Sequence, residues 1–330
     1  MKPRFYLPLL ICFLTLSPAA LASTKWYVDG VNGSDNNDCR TRQHACQTIG
    51  HAISLASSGD TIRVAAATYP ENLTISFSLR IVGSSSSTTM IDGGGIATVV
   101  RISNANAHVA LSKLTIQHGG GSGISNPGTL TISHSTISNN RTLNVGGGIV
   151  NVGTLTINNS FIGQNEATGF CRGGRCYGGF GGGIHNAANL TINNSTLSGN
   201  GARTYGGGIN NGGAATLQNS VVANSTEGGN CSGTMTSNGY NLSSDGTCNF
   251  NGPGDLNNTD PKLGQLGNYG GPTLTIPLLS GSPAIDAGNP SGCTDGLGHL
   301  LKTDQRGKPR PDKEDHRIGC DMGAYERQSD

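Results

Sequence analysis

The chain has 330 residues, of which 52 are Gly, 12% are charged and 5% are aromatic, with a formal net charge of +1. That balance removes the electrostatic basis for binding nucleic acid or an acidic membrane surface. It also argues against an ordinary globular enzyme of this size, whereas a Gly- and Asn-rich solenoid needs few charges and few aromatics.

Residues 1–22 read as a secretory signal. Lys2 and Arg4 open it, Leu9 to Leu16 is apolar, and Ala20-Leu21-Ala22 offers a small-residue cleavage site. The apolar run is short for a bilayer span, and no later segment reads as transmembrane. The mature chain is therefore expected outside the cell or on its surface. Setting aside Cys12 leaves eight cysteines, an even number in an oxidising compartment. They fall as neighbours, and four disulfides are expected: Cys39–Cys46, Cys171–Cys176, Cys231–Cys248 and Cys293–Cys320. His44 and His316 lie near two of these pairs, but neither cluster completes a four-ligand spacing, so no metal and no cofactor are expected.

Residues 23–61 predict an N-terminal cap. Trp26-Tyr27-Val28 reads as a strand, and Thr48 as the cap of a short helix whose Ile49, Ala52, Ile53 and Ala56 share one face. Residues 62–265 predict the body. It opens with strands at 61–64 and 72–75 and less regular ones at Leu79–Ile81, Val99–Ile102 and Lys113–Ile116. From Gly123 one pattern is written four times. Gly-Ile recurs at Gly123, Gly148, Gly183 and Gly208, at intervals of 25, 35 and 25 residues. Each copy carries an Asn (Asn126, Asn151, Asn186, Asn211), an alternating run such as Leu155-Thr156-Ile157, a Ser, an aliphatic, and in three copies a closing Asn.

Alternation with period two is the pattern of a strand with one buried face. Runs this short, broken by Gly and Asn at turns, cannot bury that face alone but can when stacked on copies of themselves. The prediction is an all-β, right-handed parallel β-helix of about 25 residues per coil. Ile124, Ile149, Ile184 and Ile209 should form one interior ladder, Ile132, Ile157, Ile192 and Leu217 another, with the Asn residues hydrogen-bonded from coil to coil. Residues 266–330 predict a C-terminal cap. Fourteen of the 41 charged residues lie from Lys302 onward, seven of each sign, so ion pairs such as Asp304 or Asp321 with Arg306 or Arg310 are expected.

The run Tyr27 to Ile75, with GSDNND, CQTIGHAI, SSGDTIRVAAATY and ENLTI, resembles the N-terminal region of bacterial pectin-lyase-like β-helix proteins. The GGGI repeats look like coils of that superfamily, and are similar to the repeats of polymorphic outer-membrane adhesins with Ile or Leu for Phe. GSPAIDAG at Gly281–Gly288, DQRG at Asp304–Gly307 and CDMGAYE at Cys320–Glu326 resemble the choice-of-anchor Q domain of bacterial surface proteins. The resemblance implies this fold and export.

No catalytic constellation is identifiable. Glu166 is the only acid between Gly123 and Thr226, whereas β-helix lyases and hydrolases gather several carboxylates. His118 and His134 read as lone solvated histidines. Gly119-Gly120-Gly121 reads as a turn, and Asn258-Thr259-Asp260 with Arg306-Gly307-Lys308 as chance matches to hydrolase motifs. Binding is the better expectation. The segment Gly169 to Phe180 interrupts the repeat and carries Phe170, Arg172, Arg175, Tyr177 and Phe180 around the Cys171–Cys176 staple; Phe180 should stack on Tyr205 beside an outward His185. Aromatics on a stapled loop suit sugar faces or a protein contact. A second feature is the outward Thr ladder, Thr131, Thr156, Thr191 and Thr216, favoured on any exposed strand. The sequence thus points to a monomeric binding or adhesion scaffold for a polysaccharide or cell-surface ligand, with a polysaccharide lyase or glycoside hydrolase as the alternative.

Overall fold

A computed structural model describes residues 23–84, 88–295, 298–311 and 319–328. The expected signal segment and His316 fall outside these residues, as do the side chains of Arg175 and Cys176.

A regular winding of the chain yields three main strands, as in Ile149–Asn151, Thr154–Asn158 and Phe161–Gly163, and three windings add a short fourth, Arg141–Thr142, Glu166–Ala167 and Gly201–Ala202. Each of these main strands pairs in parallel with its counterpart one winding away, which builds three long sheets, the faces of a right-handed parallel β-helix. The first face has nine strands, from Lys25–Val28 to Thr236–Ser237. The second has eight, from Thr68–Tyr69 to Leu242–Ser243, and the third seven, from Leu73–Ile75 to Cys231–Ser232.

The register is the one the repeat demands. Ile124, Ile149, Ile184 and Ile209 are direct partners and fully buried. So are Ile132, Ile157, Ile192 and Leu217. Each such side chain gains about 2 kcal/mol on leaving water.

Polar ladders run beside the apolar ones. Asn126, Asn151 and Asn186 each donate Nδ2 to the Oδ1 of the Asn one coil on, at 2.7 Å. Asn140, Asn165 and Asn200 form a second ladder at 2.9 and 3.0 Å. These buried amides are satisfied by copies of themselves, which is why the same residue returns in every coil. The corners need left-handed backbone angles, and Asn tolerates them. Asn159, Asn194 and Asn219 hold φ of 44°, 47° and 52° between the first and second faces; His134 holds 50° in the same place. Gly is required at Gly183, where a Cβ would lie 2.5 Å from the Gly208 carbonyl oxygen of the next coil.

At the N-terminal end the helix Ile49–Leu55 buries Ile49, Ala52 and Ile53 over the coil core. Thr48 accepts from His51 N, as expected of its cap. The Glu71 carboxylate adds a second cap, accepting from Ile49 N and Gly50 N at 2.8 and 2.7 Å. Cys39–Cys46, Cys231–Cys248 and Cys293–Cys320 are disulfides. Cys171 and Cys176 are cross-strand partners by backbone register.

The described residues between 261 and 328 run back along the flank of the stack as a strap over the outward side of the second face. Asn159, Asn194 and Asn219 act as a rail for it, donating to the carbonyls of Thr303 (2.9 Å), Thr294 (2.7 Å) and Asp321 (2.9 Å). Gln305 is fully buried and donates to Thr136 Oγ1, Thr273 Oγ1 and the Leu274 carbonyl. The expected Asp304–Arg306 pair is present at 2.8 Å. Arg310, however, pairs with Glu326 at 2.9 Å, because its other nitrogens are taken by Asn159 Oδ1 and the Gly323 carbonyl. Arg306, the first residue of a hydrolase-like tripeptide by sequence, lies buried with its guanidinium 3.6 Å from the centroid of the Tyr325 ring.

Candidate binding site

The insertion folds into an antiparallel hairpin, Phe170–Arg172 against Arg175–Tyr177, standing off the corner between the second and third faces. Phe170 and Tyr177 stack across it with centroids 5.3 Å apart and planes 22° from parallel. At the root of the hairpin Phe180 bridges Val145 and Tyr205 in register, and its ring stacks on Tyr205 at 6.1 Å. Phe170, Tyr177 and Tyr205 remain 54%, 48% and 58% exposed despite this stacking, so their outer faces are open to a ligand. Arg172 and Arg203 are exposed beside them, Arg203 Nε lying 3.2 Å from Cys171 Sγ. His185 lies on the outward side of the third face and donates Nδ1–H to Asn210 Oδ1 at 2.8 Å. Backbone register places Arg175 opposite Arg172.

Next to the hairpin is a cleft of about 470 Å³ lined by Gly94, Gly95, His118, Gly119, Arg141 and Leu143 among others. The two features touch, because Gly179 N donates to the carbonyl of Asn144, next to Leu143. Glycines give the cleft an open floor, and Leu143 gives it an exposed apolar wall. His118 is not the lone histidine expected of it: its Nδ1 lies 2.8 Å from Asp92 Oδ2. Burial would raise the Asp92 pKa, but hydrogen bonds from Gln117, Gly94 and His118 outweigh it and hold the carboxyl below its ordinary value. In the neutral tautomer that donates Nδ1–H to a carboxylate, the Nε2 lone pair is left available. Arg141 is held by Glu166 at 3.4 Å, so the sole acid of the repeats is engaged there.

His134 is not solvated either. It is partly buried near the strap, where desolvation, with Lys113 and Arg310 adding to it, lowers its pKa to about 4. One group of three metal-ligand side chains occurs among the described residues, Cys39, Cys46 and His51, and its two sulfurs are joined in a disulfide. Nothing in the repeat pattern marks the His118–Asp92 pair. The signal that could have found it is strand register, since Asp92 and Gln117 are direct partners in adjacent coils.

No family model and no curated protein matches the chain. Among solved structures, the crystal structure of pectate lyase Pel9A aligns over 94% of this chain and 98% of that chain, at 13% identity and a TM-score of 0.38. The fold assignment rests on the sheet pairing above, and a likeness of that size says nothing of activity.

Proposed function

We propose that this chain is an exported, non-catalytic binding scaffold, and that the hairpin corner is its carbohydrate- or surface-binding site. The resemblance to choice-of-anchor and adhesin proteins belongs to the same reading. The observation that supports it is the placement of two stacked aromatic pairs, with open faces, on a rigid stack beside a cleft. Rings held this way lose little freedom on binding, and their faces suit the apolar side of a sugar. A glycan array probed with wild type, Tyr177→Ala and Tyr205→Ala tests this. Loss of about tenfold or more in affinity for each variant is expected, and undiminished binding by both would remove the corner as the site.

One observation favours a second reading, a polysaccharide lyase or glycoside hydrolase. His118, oriented by Asp92 and facing a cleft with Arg141 on its wall, has the geometry of a general base. Incubation with polyuronates, with and without calcium, followed by absorbance of unsaturated ends, separates the two. Turnover that disappears in His118→Gln would replace the scaffold reading.

A further inference from the structure

The strap's last segment, residues 319–328, is tied to the rest of the strap by the Cys293–Cys320 disulfide and by backbone bonds with Ala284, Gly288 and Gln305, and to the stack through Asn219, Thr196 and Val221. Asn219 Nδ2 donates to the Asp321 carbonyl and the Asn219 carbonyl accepts from Gly323 N, both at 2.9 Å. Ala324 N donates to Thr196 Oγ1 at 3.0 Å, and Met322 packs with Val221, Leu242, Leu278 and Ala284. At the centre of this segment two carboxyls, Asp321 and Glu326, are each about 1% exposed. Glu326 Oε2 accepts from Asp321 N (3.0 Å) and from Arg310 Nε (2.9 Å). The Asp321 oxygens accept from the backbone N–H groups of Asp286 (2.8 Å) and Arg327 (2.6 Å). Two acids buried in one network repel as like charges, which favours the neutral form of one of them.

We propose that this segment is a proton-operated clasp, closed on the Asn rail while the Asp321 carboxyl is protonated and loosened when it ionises. The groups around it are Glu326, Arg310, Asp286 and Arg327 on the strap itself, with Asp304 and Arg306 in the same buried network; from the coils His134 faces Asp304 and Arg310, with Lys113 beside it. Burial first, and then the charge of Glu326, raise the Asp321 pKa to about 7; hydrogen bonds from Arg327 and Asp286 and the charge of Arg310 act the other way. A carboxyl raised in the folded state stabilises it most below the unfolded value, and that stability is lost as pH climbs toward 7. The segment carries the carboxyl and stays tethered through Cys293–Cys320, so the cost falls there as local opening rather than release.

Amide hydrogen exchange of the full chain at pH 6.0 and 8.5, corrected for intrinsic rates, tests the clasp. Opening of residues 319–328 should be about tenfold more frequent at pH 8.5, given the raised value of about 7, while the strands of 149–163 keep their protection. Asp321→Asn mimics the protonated form and should remove the difference. Equal protection of wild type at both pH values overturns the proposal, as does a pH response that persists in Asp321→Asn. Should that variant fail to fold, the wild-type comparison alone decides.

Discussion

His134 occupies a position where the next three coils carry Asn159, Asn194 and Asn219, all with left-handed backbone angles. An imidazole there is costly in acid. Its pKa is lowered to about 4 by desolvation, so the unfolded chain takes up a proton near pH 6.5 that the folded chain refuses. Its contribution to stability is complete above about 6.5 and is lost as pH falls toward 4. Asp321 has the opposite slope in the same window, and Glu71, also raised by burial, acts with it. The two trends offset in the wild type. His134→Asn removes one of them and supplies the residue the corner prefers. Chemical denaturation should then show stability rising as pH is lowered from 7 to 4.5, with a gain over wild type on the order of 1 kcal/mol at the acid end. A variant whose pH profile overlays the wild type would show that His134 is not held neutral.

At the scale of the element, the hairpin is attached rather than integral. Ala167 pairs with Ala202 before it and Phe180 with Tyr205 after it, so the coil register is set on both sides. Twelve residues lie between Ala167 and Phe180 where two lie between Ala202 and Tyr205, so ten are extra. Deleting 169–178 should therefore leave the stack folded, with Tm shifted by a few degrees at most, while abolishing glycan binding. A collapse in Tm would mean that the hairpin is part of the coil core. The interior ladders and this insertion were legible in the sequence because both are written in its period: identical residues recur, or the interval breaks. The Asp92–His118 pair was not, since it lies in the irregular early coils, where Asp92 and His118 have no repeated counterparts. The Asn rail was half legible. Asn159, Asn194 and Asn219 stand out as corner residues, but their second duty, holding the strap, joins positions 100 to 144 apart for Asn194 and Asn159 and leaves no periodic trace.

The whole molecule is a stack braced along one side. In a free solenoid the outward residues of a face meet water, yet Thr136, Phe161, Thr196, Val221 and Leu242, which share one column of the second face, are all buried. Only a covering segment explains apolar side chains there, and Gln305, Met322 and Ala324 come from it. The strap also crosses coils that are distant in sequence, from Thr136 to Leu242, so it couples units that would otherwise depend on nearest neighbours alone. A chain ending at Asp260 should lose the burial of Phe161, Val221 and Leu242, roughly 6 kcal/mol at about 2 kcal/mol each. With 2–4 °C lost per kcal/mol in a domain of this size, Tm should fall by about 15 °C, with dye binding to the bared face. The hairpin deletion is the matched control, because it removes exposed aromatic surface and no brace. If truncation and hairpin deletion shifted Tm by the same few degrees, the stack would be self-sufficient, and the buried outward column would have some other cause than the strap.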